Sequence, residues 1–206
     1  MTTININAFD FQALQLFIAK KDVRHWLNGF HVNREWLAAT DGKVLMRIFH
    51  GCDVGEDFPE DGYILEPVKV ATKRAPDGGD PVVTLSLERQ RTPMASGAQL
   101  ITPKLELSAN NSPAVVRLEF QPGKFPDIER IIPNRDTAEP VANYFNPEYF
   151  ELVGKAAKLL CKGMDIKDGM VTTLGQSKQA TLFKIPQRAD VDIVVMPMNP
   201  KEWGGV

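Results

Sequence analysis

The sequence predicts an α+β fold built from three strand–helix–strands units. Two observations point to it. Three times along the chain a short strand-forming stretch leads into a helical period and then into about three further strand-forming runs. Turn chemistry separates those runs, and the 206 residues, 43% hydrophobic and 24% charged, suffice for one large core or two smaller ones.

The first unit opens with a strand over residues 3–7 and a helix over 10–21, where Leu14, Phe17 and Ile18 stand at i, i+3 and i+4 as its buried stripe. Strands are predicted over 29–32, 35–39 and 44–49, the last two joined by the tight turn Thr40, Asp41, Gly42. After the acidic loop 53–62, the second unit has a strand over 63–65 and a short helix over 67–74 with Pro67 in its first turn, halted by Asp77, Gly78, Gly79 and Asp80. Strands over 82–89, about 100–108 and 114–120 follow. The third unit begins near Val141. Asn146 as N-cap, Pro147 at N1 and Glu148 behind it start a helix, Phe150, Val153, Ala157 and Leu160 form its buried face, and Gly163 ends it. Strands over 171–174, 180–185 and 192–196 close the pattern.

Composition excludes several classes. The formal net charge of -2 provides no global attraction to nucleic acid or membranes, so any DNA affinity must come from local segregation of charge. Cys52 and Cys161 are too few for a disulfide scaffold, the start MTTININAFDFQ does not read as a signal peptide, and no apolar run approaches the roughly 18 residues needed to span a bilayer. A cytoplasmic protein without membrane partners is expected. His25, His31 and His50 have no metal-ligand spacing with either cysteine, and the loop bearing Asp53, Glu56, Asp57, Glu60 and Asp61 lacks the alternation of a calcium loop. No phosphate loop and no nucleophile–base–acid string occurs, so no catalysis, cofactor or metal is expected.

Local charge is more informative. Lys20, Lys21 and Arg24 fall at and just past the first predicted helix, Lys69, Lys73 and Arg74 on the second, and Lys155, Lys158 and Lys162 on the third. The spacing i, i+3, i+7 sets the last three on one face, opposite the apolar stripe. Such helices either track a phosphate backbone or simply present solvated faces.

Several strings then carry a family resemblance: AKKDVRHWLNGFHV (19–32), LAATDGKVLM (37–46), GKFPDIERIIP (123–133), FNPEYFELV (145–153) and VVMPM (194–198). In this order they resemble the bacterial DNA polymerase III beta sliding clamp. The resemblance implies the DNA-clamp, or processivity-factor, fold, with antiparallel sheets outside and the helices on one face, and with residues 1–133 as one complete two-unit domain, 134–140 as a linker and 141–206 as a half-domain. It implies a non-enzymatic replication factor, compact enough for a phage or prophage version. Such a factor tethers a polymerase to duplex DNA through backbone contacts and a hydrophobic groove for polymerase and clamp-loader peptides. That groove comprises Leu27, Thr40, Gly42, Lys43, Leu45, Pro133, Asn146, Tyr149, Val194, Val195, Met196, Pro197 and Met198, with the nine basic residues above as the DNA face. An unpaired half-domain exposes a sheet edge and an apolar face, so a homo-oligomer, dimer or tetramer, is expected. The alternative is a module that keeps the groove without the ring and acts as a decoy for clamp-binding peptides. Two departures stand out: Lys43 and Val44 replace the family's usual His-Arg after ATDG, and 199–206, including Trp203, extend beyond VVMPM.

Overall fold

The computed structural model describes residues 2–55, 58–70, 80–93, 99–109, 112–134, 143–162, 164, 171–175 and 179–198. In chain order these form β1 (Thr2–Asn7), α1 (Ala8–Gln15), a 3₁₀ turn (His25–Leu27), β2 (Phe30–Val32), β3 (Trp36–Thr40), β4 (Val44–Phe49) and β5 (Tyr63–Leu65). There follow β6 (Val82–Pro93), β7 (Gln99–Ala109), β8 (Ser112–Arg117), α2 (Pro147–Lys162), β9 (Thr172–Gly175), β10 (Thr181–Lys184) and β11 (Val191–Val195). All strand pairs are antiparallel and make two sheets, β1-β6-β7-β8 and β5-β2-β3-β4-β11-β10-β9. The second sheet is continuous across the first and third units, because β4 pairs with β11 in the register Val44↔Val195 to Ile48↔Val191.

Local chemistry starts both helices. The Asn7 side chain accepts from Phe9 N–H at 2.9 Å, and that of Asn146 accepts from Glu148 N–H at 3.0 Å ahead of Pro147. The first helix, expected over 10–21, stops at Gln15. Leu16, Phe17 and Ile18 tighten to i→i−3 bonds, and Ala19 N–H then leaves the helix to donate to Leu27 carbonyl O at 3.0 Å. Leu14, Phe17 and Ile18 are all buried as expected, the last two from these turns. The second helix expected over 67–74 is corrected in its described part: 67–70 are not helical, since Val68 N–H is taken by the Gln15 side chain at 2.9 Å, and 71–74 lie outside the described residues. In α2, Val153, Ala157 and Leu160 are buried, but Phe150 is 50% exposed, its ring lying edge-on to Phe145 and Phe183. Gly163 lies outside the described residues.

α1 is buried nearly all round, with Ala8, Phe9, Asp10, Phe11, Ala13 and Leu14 inaccessible, and it packs against α2. One apolar cluster runs from Ile4 and Leu85 through Phe11 and Leu14 to Met46, Leu160 and Ile193. A second covers the other face of the seven-stranded sheet, where Phe125 and Ile128 from the segment 120–134 lie on Trp36, Ala38, Leu45, Leu182 and Val194. Burial on both faces explains why β3 and β11 are buried at every position.

Two ion networks tie the units together. Asp192, fully buried on β11, accepts from Arg47 Nε on β4 and Lys184 Nζ on β10, each at 2.9 Å, and Arg47 also pairs with Glu129. Arg188 forks onto Asp10 of α1 at 2.7 and 2.8 Å and onto Asp190. Glycine matters most at Gly62, which has φ +64° and where a Cβ would collide with Val32 carbonyl O. Gly62→Ala is expected to cost about 2–4 kcal/mol, measured by urea unfolding, because left-handed backbone and overpacking add.

Candidate functional site

The end of β11 and the β3–β4 turn build one surface together. Thr40 Oγ1 donates to Val44 carbonyl O at 2.6 Å and accepts from Gly42 N–H at 3.0 Å. Asp41 Oδ1 accepts from Lys43 and Val44 N–H at 2.8 and 2.9 Å, and Gly42 takes φ +91°. Past β11, Met196 N–H donates to Lys43 carbonyl O at 2.8 Å and Met198 N–H to Tyr144 carbonyl O at 2.7 Å. The stretch Met196–Met198 is thereby held between the turn and the approach to α2, and is no frayed end.

The nominated groove residues divide by depth. Leu27, Thr40, Leu45, Val194 and Val195 are buried and unable to touch a ligand without rearrangement. Gly42, Lys43 and Met196 are exposed, while Pro133, Asn146, Tyr149, Pro197 and Met198 are half-buried. Tyr149 sits at the start of α2, and burial together with the nearby Asp41 charge pushes its phenol above the usual range. It stays a neutral donor with an apolar ring, suited to a peptide backbone or side chain.

Beside Tyr149 a surface recess of about 390 Å³ is lined by Ala19, Lys20, Lys21, Asp22, Arg24, Asp41 and Lys43. Here the structure joins two sets that the sequence kept apart, since Lys20, Lys21 and Arg24 were assigned to DNA and Lys43 and Tyr149 to the groove. The placement of the first three on a helix end is corrected: α1 stops at Gln15 and they occupy the loop beyond it, where Lys21 adopts φ +58°. Arg24 forks onto Asp22 at 2.8 and 3.0 Å, which holds the Asp22 carboxyl down at about 2, and reaches Asp41 carbonyl O at 3.3 Å. Lys69 is exposed on non-helical chain, and Lys73 and Arg74 lie outside the described residues. Lys155, Lys158 and Lys162 are exposed on α2, opposite Val153, Ala157 and Leu160. Lys155 is paired with Glu151 at 2.6 Å, and Lys162 lies 5.1 Å from the Phe9 ring centroid. The extension 199–206 lies outside the described residues.

Among the described residues no helix is long and apolar enough to cross a membrane, and no cluster of metal-ligating side chains occurs. No protein-family model matches the chain, and no curated protein matches it. Solved structures do. A DNA polymerase sliding clamp from Pseudomonas aeruginosa superimposes with a TM-score of 0.60 at 16% identity over 96% of this chain. The fold is that of the bacterial sliding clamps. The clamp fold recurs in comparisons with the DNA polymerase III beta subunits of Thermotoga maritima, TM-score 0.57 at 14% identity, and Borrelia burgdorferi, TM-score 0.58 at 13% identity, each over 97% of this chain. The chain spans 66%, 66% and 64% of the length of these three clamps. Clamp architecture, rather than overall sequence likeness, is what the molecules share.

Proposed function

We propose that this chain is a sliding-clamp-type replication factor that tethers a polymerase to duplex DNA by holding a short apolar peptide on the surface around Met196. One observation carries this reading. On a clamp fold, Met196 is 38% exposed while its backbone is tied to Lys43 of the β3–β4 turn, which lines the recess with Tyr149, so a greasy, adaptable side chain is displayed on a fixed frame. A weak peptide contact of this kind becomes durable when the tether stays on DNA, because linkage raises the local concentration of the polymerase. A fluorescence-polarisation titration with a labelled glutamine–leucine–phenylalanine-type peptide tests the groove. Saturable binding is expected, and none at millimolar protein would overturn the assignment.

For DNA, α2 offers the described helix with a basic face clear of the core. Reversing Lys155 and Lys158 to Glu is expected to weaken duplex binding and to reduce the slope of log K against log[salt] by roughly two phosphate contacts, leaving peptide binding intact. An unchanged slope would remove α2 from the DNA face.

The second reading, a peptide-binding decoy without a ring, is favoured by α1, which is buried and carries no Lys or Arg, and by the Asp22–Arg24 fork, which neutralises one cation of the loop beyond it. Retention on circular DNA separates the two. A ring assembled from several copies of this chain stays on a closed circle and is lost on linearisation, whereas the decoy binds peptide with no such dependence.

A further inference from the structure

A cavity of about 600 Å³ lies between the outer face of β2, β3 and β5 and the chain segment 120–129, and shares no lining residue with the recess beside Tyr149. Its wall is aromatic. Trp36, Tyr63, Phe120 and Phe125 contribute rings, and the His31 imidazole stacks on Phe125 with centroids 4.6 Å apart and planes 8° apart. Its rim is acidic. Glu60, Asp61, Asp127 and Glu129 line it against the single cation Lys124, which lies 3.8 Å from Asp61. Glu129 is engaged by Arg47 and Asp127 by Arg130 at 2.8 Å, which leaves Glu60 and Asp61 as the carboxylates with the weakest existing ties among the described residues.

The histidine adds an independent pointer. His31 is 4% exposed, and its Nε2 lies 2.7 Å from Asp61 carbonyl O, a pure acceptor, so Nε2 carries the proton and donates. Nδ1 is then a bare acceptor, and it is the buried side-chain polar atom without a hydrogen-bond partner among the described residues. An unsatisfied buried acceptor is costly and asks for an N–H donor.

We propose that this cavity is a second binding site, separate from the groove, and that it takes a guanidinium group. A guanidinium is planar and stacks on aromatic faces, carries the charge that the acidic rim attracts, and has donors to spare for a carboxylate and for Nδ1 of His31. The guanidinium stacks on a ring of the cavity wall beside His31, and a shift of the Phe125 ring off the imidazole lets Nδ1 accept from it. An ammonium group has the charge without the plane, and a neutral urea has the plane without the charge.

The test is isothermal titration of the full chain with N-acetyl-arginine methylamide, with the isosteric citrulline derivative as the uncharged control. Saturable binding of the arginine probe and none of the citrulline probe is expected. Glu60→Gln combined with Asp61→Asn, both at exposed side chains, is expected to weaken binding about tenfold. His31→Phe, which keeps the stack and removes the acceptor, is expected to weaken it again, while Met196→Asp leaves it unchanged. An alanine-flanked arginine pentapeptide that binds more tightly than the amide assigns the site to a protein partner, and equal affinity assigns it to a free arginine-like molecule. No saturation by either arginine probe at about 10 mM, equal binding of citrulline, or full affinity in the Glu60/Asp61 variant would each overturn the proposal.

Discussion

Replacing Arg188 by Met is expected to lower the unfolding free energy by about 3–5 kcal/mol. Arg188 and Asp10 expose only 6% and 10% of their side chains, so the Asp10 carboxylate depends on the guanidinium, which Asp190 also holds, in place of water. Methionine fills much of the space but leaves the Asp10 carboxylate in the first turn of a buried helix with no countercharge. The deficit depends on pH with a definite sign. Burial already raises the Asp10 carboxyl above its ordinary value against the pull of Arg188, and losing the guanidinium raises it further. A raised folded-state value favours the fold at pH below the unfolded value and is lost as pH rises through the folded one. The variant should therefore be most impaired near neutrality and recover toward about pH 4. Urea unfolding at two pH values measures this, and the double variant Asp10→Leu/Arg188→Met should regain most of the loss, because a buried pair replaced whole by apolar groups is close to neutral. A single variant within about 1 kcal/mol of the native chain at pH 7 would show that the pair does not hold α1 in place.

Met196→Asp is expected to reduce peptide affinity by at least about thirtyfold while leaving unfolding unchanged, since a carboxylate facing an apolar side chain must be desolvated without a partner. The fold tolerates the change for a structural reason. Met196 meets the β3–β4 turn through its backbone N–H, and its side chain is partly in solvent, so an aspartate there keeps both its hydration and the bond to Lys43. Met196→Leu, close in volume, is expected to stay within a few-fold of the native affinity. Equal affinity for the native and Asp variants, read by fluorescence polarisation, would move the contact away from the tail.

Elements governed by neighbours in sequence were legible. The Asn146-Pro147-Glu148 start of α2 and the Thr40-Asp41-Gly42 turn rest on side chains that bond the backbone within a few residues, and β4 and β5 fall on the strand-forming runs 44–49 and 63–65. The expected helix over 10–21 failed where a remote group intervened, for Ala19 N–H prefers Leu27 carbonyl O to the next helical acceptor. The short helix over 67–74 failed in its described part for the same kind of reason, with Gln15, 53 positions away, taking Val68 N–H. Phe150 shared the helical period of the buried face yet lies at its margin, because period assigns an azimuth and not a depth.

The candidate site was readable to the same extent. Strings around the turn, α2 and the tail named Lys43 and Met196, which the backbone does join, but not which five of the nominated residues would be buried. Convergence of Lys20, Lys21 and Arg24 on Tyr149 was invisible, since it follows from α1 ending early. The cavity at His31 had no motif at all: its parts come from β2, β3, β5 and a crossing segment, and nothing in their spacing links them.

By itself the sequence determined the α+β alternation, the turn chemistry, the cap of α2 and the apolar tail, because each is an exchange between groups a few bonds or one turn apart. Only the tertiary structure decided that β11 completes the sheet of the first unit, that α1 is enclosed on every side, and that Arg188 meets Asp10 across 178 positions. Those contacts join groups whose separation along the chain carries no periodic signal, and what selects them is the removal of apolar surface and charge from water, a property of the packed whole.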